Sequence, residues 1–227
     1  MNSRYKMVVF DMAGTTVDEK NLVYKTLHLS LQKAGVDCTL DEVLAHGAGK
    51  EKRKAIEDVL HQLQVSLPEA GIDEIYAHFL QSLTGAYQFA DVKPQPGADA
   101  VFRELKAHGI HVVLNTGYDS FTANTLIQKL NWKVGEEIDL LVTASDVVHG
   151  RPAPDMIRLA MEHFHLTEAA DVVKVGDSAI DIEEGKNADC GLVAGITTGA
   201  HTPEQLQQAN PDFVIGSLSE LLTILIQ

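Results

Sequence analysis

The sequence predicts a doubly wound α/β core with a mostly parallel sheet, interrupted by an all-helical insertion. Three observations predict it. From residue 97 onward, short apolar runs alternate with helical stretches, the pattern of a parallel sheet covered by helices on both faces. Near the start, Met7-Val8-Val9-Phe10 runs straight into Asp11 and a Gly14-Thr15-Thr16 turn. That run is too short for a helix and is bounded by a breaker, so it reads as a buried strand ending in a carboxylate. Between the two, residues 19–92 are helical, and Lys93-Pro94-Gln95-Pro96-Gly97 closes them as a Pro/Gly boundary.

Each element follows from local chemistry. Leu22, Val23, Leu27, Leu31 and Ala34 share one helix face, which Gly35 ends. Thr39 before Leu40-Asp41-Glu42 is an N-cap followed by acids in the first turn, and that short helix stops at Gly47-Ala48-Gly49. Ala55, Ile56, Val59, Leu60 and Leu63 mark a third helix, and residues 72–89, entered through Pro68-Glu69, a fourth. After the boundary come a helix over 97–108, a strand over 110–114 that runs into Asn115-Thr116-Gly117-Tyr118, and a helix over 119–130. A strand over 138–142 and a loop from Thr143 to Arg151 precede a helix that Pro154 opens at its first turn. The strand 172–175 ends at Gly176-Asp177, and a helix over 179–188 follows. Short strands at 191–194 and 213–215 and a helix over 218–226 complete a Rossmann-like core. The expected domains are therefore a core of 1–18 and 93–227 and a helical cap of 19–92. The cap leaves the chain just beyond Asp11, at the sheet edge where α/β proteins bind ligands, which places it as a lid.

Composition narrows the function. The chain has 227 residues, of which 45% are apolar and 22% charged, an ordinary soluble balance. No apolar run reaches membrane-spanning length, and Met1-Asn2-Ser3-Arg4 leads into a strand, not an apolar leader, so the expected location is cytoplasmic with no membrane partner. The net charge of −14 disfavours nucleic acid, whose binding rests on clustered Lys and Arg. Cys38 and Cys190 are isolated and lack metal spacing. His46 and His149 lack it too and read as structural.

Three strands end in polar residues: Asp11, Thr116 and Asp177. Parallel strand ends converge in space, so the three meet at one edge, with Arg151-Pro152 as a fourth element. Taken singly, each has a plainer reading. Asp177 and Asp181 could complement a helix dipole, Thr116 could cap the 119–130 helix, and Arg151 could be a surface residue.

The stretch Asp11-Met12-Ala13-Gly14-Thr15-Thr16-Val17-Asp18 resembles the nucleophile motif of the haloacid dehalogenase superfamily, and more narrowly its phosphonatase branch. With Thr116, Arg151 and Asp177 in order, the resemblance spans nearly the whole core. It implies that Asp11 attacks phosphorus to form an aspartyl-phosphate, and that Mg²⁺ is held by Asp11, Asp177 and the Ala13 carbonyl, with Asp181 one shell out. It further implies that Thr116 and Gly117 hold a phosphoryl oxygen, that Tyr118 lines the pocket, and that Arg151 holds phosphoryl oxygens or bridges them to Asp11.

Position 13 carries the chemical argument. Phosphatases of this superfamily have a second Asp there, which protonates the leaving alcohol; here it is Ala13. A carbon–phosphorus bond instead releases a carbanion, which requires an electron sink such as a Lys Schiff base. The branch carries that Lys in a Met-Gly-x-x-Lys motif of its cap. Lys52, after Gly49, fits by its distance from Asp11; Lys50, after Gly47, is the alternative. The family Met is Ala48 (or His46), and the His three residues beyond the Lys is Ala55 (or Arg53). Lys50, Lys52, Arg53 and Lys54 also fit a solvated helix face, or could lower the amine's pKa by like-charge repulsion.

The reading is a Mg²⁺-dependent hydrolase of a 2-oxoalkyl phosphonate, with phosphonoacetaldehyde as reference substrate. One alternative is a phosphate-ester phosphatase or phosphomutase of the same superfamily. Another, from a different class, is a non-catalytic phosphate-binding or regulatory protein. The resemblance implies a homodimer through the cap, which the apolar faces at 22–34 and 72–89 permit.

Overall fold

The computed structural model describes residues 3–226; the chain ends at 1–2 and 227, which the expected core boundaries include, lie outside them. The chain runs β1 (Met7–Asp11), β2 (Val17–Asp18), α1 (Leu22–Lys33), α2 (Leu40–Gly47), α3 (Lys52–Gln62), α4 (Glu69–Phe89) and β3 (Lys93–Pro94). It continues with α5 (Ala98–Ala107), β4 (His111–Thr116), α6 (Ser120–Lys129), β5 (Leu140–Thr143), α7 (Asp155–His163) and β6 (Val172–Gly176). The last elements are α8 (Ala179–Asn187), β7 (Leu192–Ile196), α9 (Pro203–Gln208), β8 (Phe213–Ile215) and α10 (Leu218–Leu225). Six strands form one parallel sheet in the order β5-β4-β1-β6-β7-β8.

β1 is central, and every one of its residues is buried. Its side chains alternate between two faces, as a pleat requires. Val8 and Phe10 join the larger core, where the Phe10 ring packs 5.6 Å from Phe102, and Phe102 lies 5.2 Å from Trp132. Met7 and Val9 pack with Met156, Ile157 and Ala160 of α7. The chain doubles back on either side of β1, so the ligand crevice opens at its carboxyl end. The register brings the chemistry together there, with Asp11 beside Asn115 on one side and Phe10 beside Val175 on the other.

Helices α1 to α4 pack on one another between β2 and β3. α2 begins in a reciprocal capping box, in which Thr39 Oγ1 accepts the Glu42 N–H at 3.2 Å and the Glu42 carboxylate accepts the Thr39 N–H at 2.7 Å. The Pro/Gly boundary is more ordered than the sequence suggests. Lys93–Pro94 pairs antiparallel with Val17–Asp18, so both connections to the helical segment form one short ribbon. Pro94 is tolerated because a two-strand ribbon has free edges. Other differences are local. Pro154 stands at the N-cap and the helix starts at Asp155. β5 begins two residues later than its apolar run, because Ile138 bridges to Val134 instead. α9 was absent from the sequence reading, although Thr202 and Gln205 form a capping box around Pro203.

The insertion docks closely on the sheet edge. A Cβ on Gly117 would lie 2.5 Å from the Lys50 carbonyl oxygen, and one on Gly49 would lie 2.4 Å from Ser178 Oγ. Gly117→Ala should therefore push the 49–52 segment off the core. Turnover is expected to fall about 10- to 100-fold, since an ångström of misplacement has that effect. Thermal unfolding should change little, because the core below Gly117 is untouched. Steady-state kinetics beside a melting curve would check both.

Candidate active site

The end of β1 delivers Asp11, only 4% exposed, into a ring of buried charge. Arg151 Nη1 donates to Asp11 Oδ1 at 2.6 Å and to the Gly49 carbonyl at 3.3 Å. Its Nη2 donates to the Asn115 carbonyl at 2.9 Å and to Asn115 Oδ1 at 2.6 Å, while Nε donates to Glu184 Oε2 at 2.9 Å. All three nitrogens are thus engaged within the protein. Arg151 fixes the orientation of Asp11. Lys174, wholly buried in β6, donates to Asn115 Oδ1 at 2.7 Å and lies 3.0 Å from Glu184 and 3.1 Å from Asp181.

Asp11, Asp177 and Asp181 each present a carboxylate oxygen within 4.8 Å of the others. Asp177 follows β6 and is held from the far side: Ala200 N–H donates to Oδ2 at 2.6 Å and Thr15 Oγ1 to Oδ1 at 3.3 Å. Gly14 and Gly199 leave room for it, since a Cβ at either would lie 2.4 Å or 1.9 Å from Asp177 Oδ2. Burial, then the Asp11 and Asp181 charges, push the Asp177 carboxyl well above its usual range. Burial also raises Asp11, against the pull of Arg151. Asp181 stays low despite its burial, because Arg151 and Lys174 hold it charged.

The donor set fits a hard divalent cation. Four buried carboxyl groups, Asp11, Asp177, Asp181 and Glu184, stand against two buried cations, Arg151 and Lys174. Among the described residues, Asp181 Oδ1 is buried without a well-aligned hydrogen-bond donor, although it lies 2.9 Å from Arg151 Nη1 and 3.1 Å from Lys174 Nζ. Asp11 and Asp177 would hold the ion, with the Ala13 carbonyl in the turn between them and Asp181 behind.

The insertion adds an amine. Lys52, the first residue of α3, is 6% exposed, and its Nζ donates to the Lys50 carbonyl at 2.6 Å. The amine sits over two aromatic rings, 5.1 Å from the centre of Tyr118 and 5.5 Å from that of Tyr24. Burial pulls its pKa down to about 8, with Asp11 opposing the shift and Arg151 assisting it. Lys50 turns away and pairs with Asp58. Arg53 pairs with Glu57, Glu69 and Asp73, and Lys54 with Asp58. The expected like-charge repulsion within this cluster is thus neutralised by carboxylates, and desolvation is the main cause of the shift. Gly49 joins both halves: its N–H donates to Tyr24 Oη at 2.8 Å while its carbonyl accepts from Arg151.

Thr116 and Gly117 lie at the end of β4 beside this cluster. Thr116 Oγ1 accepts the Tyr118 N–H at 3.2 Å, and among the described residues its own hydrogen has no acceptor. Tyr118 is buried and its hydroxyl meets that of Tyr87 at 2.7 Å. His149 pairs with Asp155 on the surface, and His46 is half-buried at the end of α2.

Several residues of the site escaped the sequence reading. Lys174 interrupts the otherwise apolar strand Val172–Gly176, a signal in retrospect, since an unpaired Lys is not buried there. Asn115 and Glu184 gave none. His201 accepts the Ala179 N–H at Nδ1 (3.0 Å), so Nε2 carries the hydrogen and donates to the Leu44 carbonyl in α2 at 3.3 Å. It is a second tie between insertion and core.

A carboxylate at the central strand end, the polar ends of β4 and β6, the loop residue Arg151 and a buried carboxylate cluster thus meet at one edge of a parallel sheet. Residues 5–189 match the haloacid dehalogenase-like hydrolase family, to which the chain belongs. It is 30% identical to the phosphonoacetaldehyde hydrolase of Latilactobacillus sakei, over 96% of this chain and 94% of that one. It is also 25% identical to the pyrophosphatase PpaX of Listeria monocytogenes, over 99% and 98%. Among solved structures, a phosphonoacetaldehyde hydrolase-like protein from Oleispira antarctica superposes with a TM-score of 0.85 at 24% identity, over 99% and 93% of the two chains. That likeness is one of fold.

Two outcomes follow from the buried charges. Mg²⁺ at about 100 times its dissociation constant should stabilise the protein by about 2.7 kcal/mol, and Asp177→Asn should abolish the rise in Tm. Lys52 gives the opposite kind of effect. A lysine lowered from 10.5 to about 8 binds fewer protons folded than unfolded, so stability rises with pH across that window and the penalty is complete below it. Lys52→Met should accordingly raise stability at pH 7 by about 1–2 kcal/mol, after loss of the amine's own contacts. The gain should vanish by about pH 10.5, and denaturant unfolding at several pH values measures it.

Proposed function

We propose that the chain is a Mg²⁺-dependent phosphonatase-type hydrolase, which cleaves the carbon–phosphorus bond of a 2-oxoalkyl phosphonate such as phosphonoacetaldehyde. The observation that carries the reading is the buried Lys52 amine, lowered to about 8 and enclosed by Tyr24 and Tyr118 beside the Asp11 site. A surface lysine at neutral pH is almost wholly protonated and cannot add to a carbonyl; one near 8 keeps a usable neutral fraction. Ala13 supports the same conclusion, because it supplies no acid for an alkoxide leaving group.

Asp11 attacks phosphorus, and Arg151 fixes the carboxylate for that attack. Mg²⁺ supplies the charge that screens two anions from each other. Lys52 joins the substrate carbonyl carbon as a Schiff base. The electrons of the breaking bond then pass into an enamine instead of remaining as a carbanion. Thr116 donates its hydroxyl hydrogen to a phosphoryl oxygen. Asp11 and Lys52 are both nearly inaccessible, so substrate enters when the insertion lifts from the core, about the β2–β3 ribbon. The similarity to a pyrophosphatase keeps a phosphate-ester substrate as the second reading.

Phosphate release from phosphonoacetaldehyde should require Mg²⁺ and rise with pH to a plateau above about 8, as Lys52 loses its proton. Lys52→Arg should lose activity by at least about 1,000-fold, and Lys50→Arg only a few-fold. Release from phosphate esters but not from the phosphonate would replace this reading by the phosphatase.

A further inference from the structure

The chamber around Lys52 holds a carboxylate that the chemistry above does not use. Glu19 lies between β2 and α1 and is 5% exposed. Its Oε2 accepts the Val23 N–H at 2.9 Å and the Tyr87 hydroxyl at 3.1 Å. That is the work of a carboxylate at a helix start, and one oxygen suffices for it. Oε1 is buried and has no hydrogen-bond partner among the described residues. An unpaired polar atom there is costly, and capping α1 does not require it.

The contacts of the other carboxylate oxygen connect Glu19 to the amine. The Tyr87 hydroxyl that bonds Glu19 also meets the Tyr118 hydroxyl at 2.7 Å, and the Tyr118 ring is one of the two beneath the Lys52 amine. One wall of tyrosines therefore joins the acid to the amine. Tyr24, Tyr87 and Tyr118 around the chamber are all pushed well above their ordinary range by burial, and the Lys52 amine also feels the charges of Asp11, Arg151 and Glu51. On the tyrosine wall itself, the acid and the amine, not the phenols, are left to exchange a proton. Burial raises Glu19 and lowers Lys52, and each responds to the other's charge. Both shifts bring the neutral amine and neutral acid within reach.

We propose that Glu19 carries the proton of Lys52 during formation and hydrolysis of the Schiff base, acting on the substrate oxygen through Oε1. The proposal rests on the Schiff-base reading above. The proton balance closes without an outside acid. Glu19 carboxylate takes a proton from the Lys52 ammonium, and the neutral amine forms a bond to the carbonyl carbon as the carbonyl π pair moves to oxygen; one amine proton then passes to that oxygen, giving a neutral carbinolamine. Glu19 returns the proton to the carbinolamine hydroxyl, the carbon–oxygen bond breaks, water leaves, and an iminium faces a carboxylate. Hydrolysis runs the same exchange backwards.

Trapping with acetaldehyde and borohydride tests the step apart from phosphorus chemistry. Intact mass and peptide mapping would follow ethylation of Lys52 in wild type, Glu19→Gln and Lys52→Arg, beside phosphate release from phosphonoacetaldehyde. The glutamine keeps an oxygen for Val23 and Tyr87 but cannot shuttle a proton, so its trapping should slow roughly 100-fold. Trapping at the wild-type rate overturns the proposal and leaves Glu19 as a cap for α1. If Glu19→Gln does not fold, Tyr87→Phe, which keeps the carboxyl but removes a hydrogen bond to it, should slow trapping several-fold; an unchanged rate overturns the proposal. Glu19-dependent trapping at Lys52 without phosphate release from the phosphonate supports the proton carrier and sinks carbon–phosphorus cleavage. A wild type that is not trapped at Lys52 overturns both.

Discussion

The buried guanidinium of Arg151 is the contact on which the rest of the site depends. It binds the carboxylate of Asp11, both oxygens of Asn115, Glu184 of α8 and the Gly49 carbonyl of the insertion. A planar fork with donors on three nitrogens can serve five acceptors in one plane; the point charge of a lysine cannot. Such burial is a poor source of stability, because desolvating the charges offsets much of their attraction. Its value is positional. It holds Asp11 in one rotamer and makes that rotamer depend on the strands either side and on the docked insertion.

The same exclusion of water acts in opposite senses on acid and base. It raises Asp11 and Asp177, which leaves an acidic cluster in need of a cation, and it lowers Lys52 toward a nucleophilic amine. Neither half has this chemistry alone. The core supplies carboxylates without the amine, and the insertion supplies an amine enclosed by its own Tyr24 and by Tyr118 of the core. Gly117 and Gly49 are the steric condition for that docking, since any side chain there would collide with the other half. The carboxylates and the amine come together only where the insertion is docked on the core.

The architecture was legible in the sequence wherever one local rule acted alone. The run from Met7 to Asp11 gave the central strand, and alternation after residue 97 gave the sheet, because pleated strands buried on both faces admit few polar residues. Thr39 and Glu42 gave the start of α2. The β2–β3 ribbon was not legible, because two residues carry no periodicity. At the site, the strand-end residues were readable from their positions, and Lys52 was singled out only because its spacing from Asp11 resembles the family motif. Lys50 and Lys52 could not be told apart on charge alone; burial separates them, since Lys50 has Asp58 within reach and Lys52 has only a carbonyl and two rings. Lys174, Glu184 and Glu19 were missed because their meaning is relational. Each is an ordinary charged residue until folding removes its water.

Position 13 shows how such a site could change substrate without changing its phosphoryl chemistry. An alkoxide leaving group needs a proton, and a carboxylate two residues beyond the nucleophile is placed to give one. With Ala13 there, the turn after β1 carries only backbone groups and the hydroxyls of Thr15 and Thr16, and Thr15 is drawn to Asp177. On the proposed reading, proton and electron handling for the leaving group moves to Lys52 and Glu19, which belong to the insertion and its root. The core would then fix what happens at phosphorus, while the insertion fixes what phosphorus is bonded to. Changing the substrate carbon skeleton should then be a matter of α1, α3 and α4, which line the chamber through Tyr24, Lys52 and Tyr87, and not of the sheet edge.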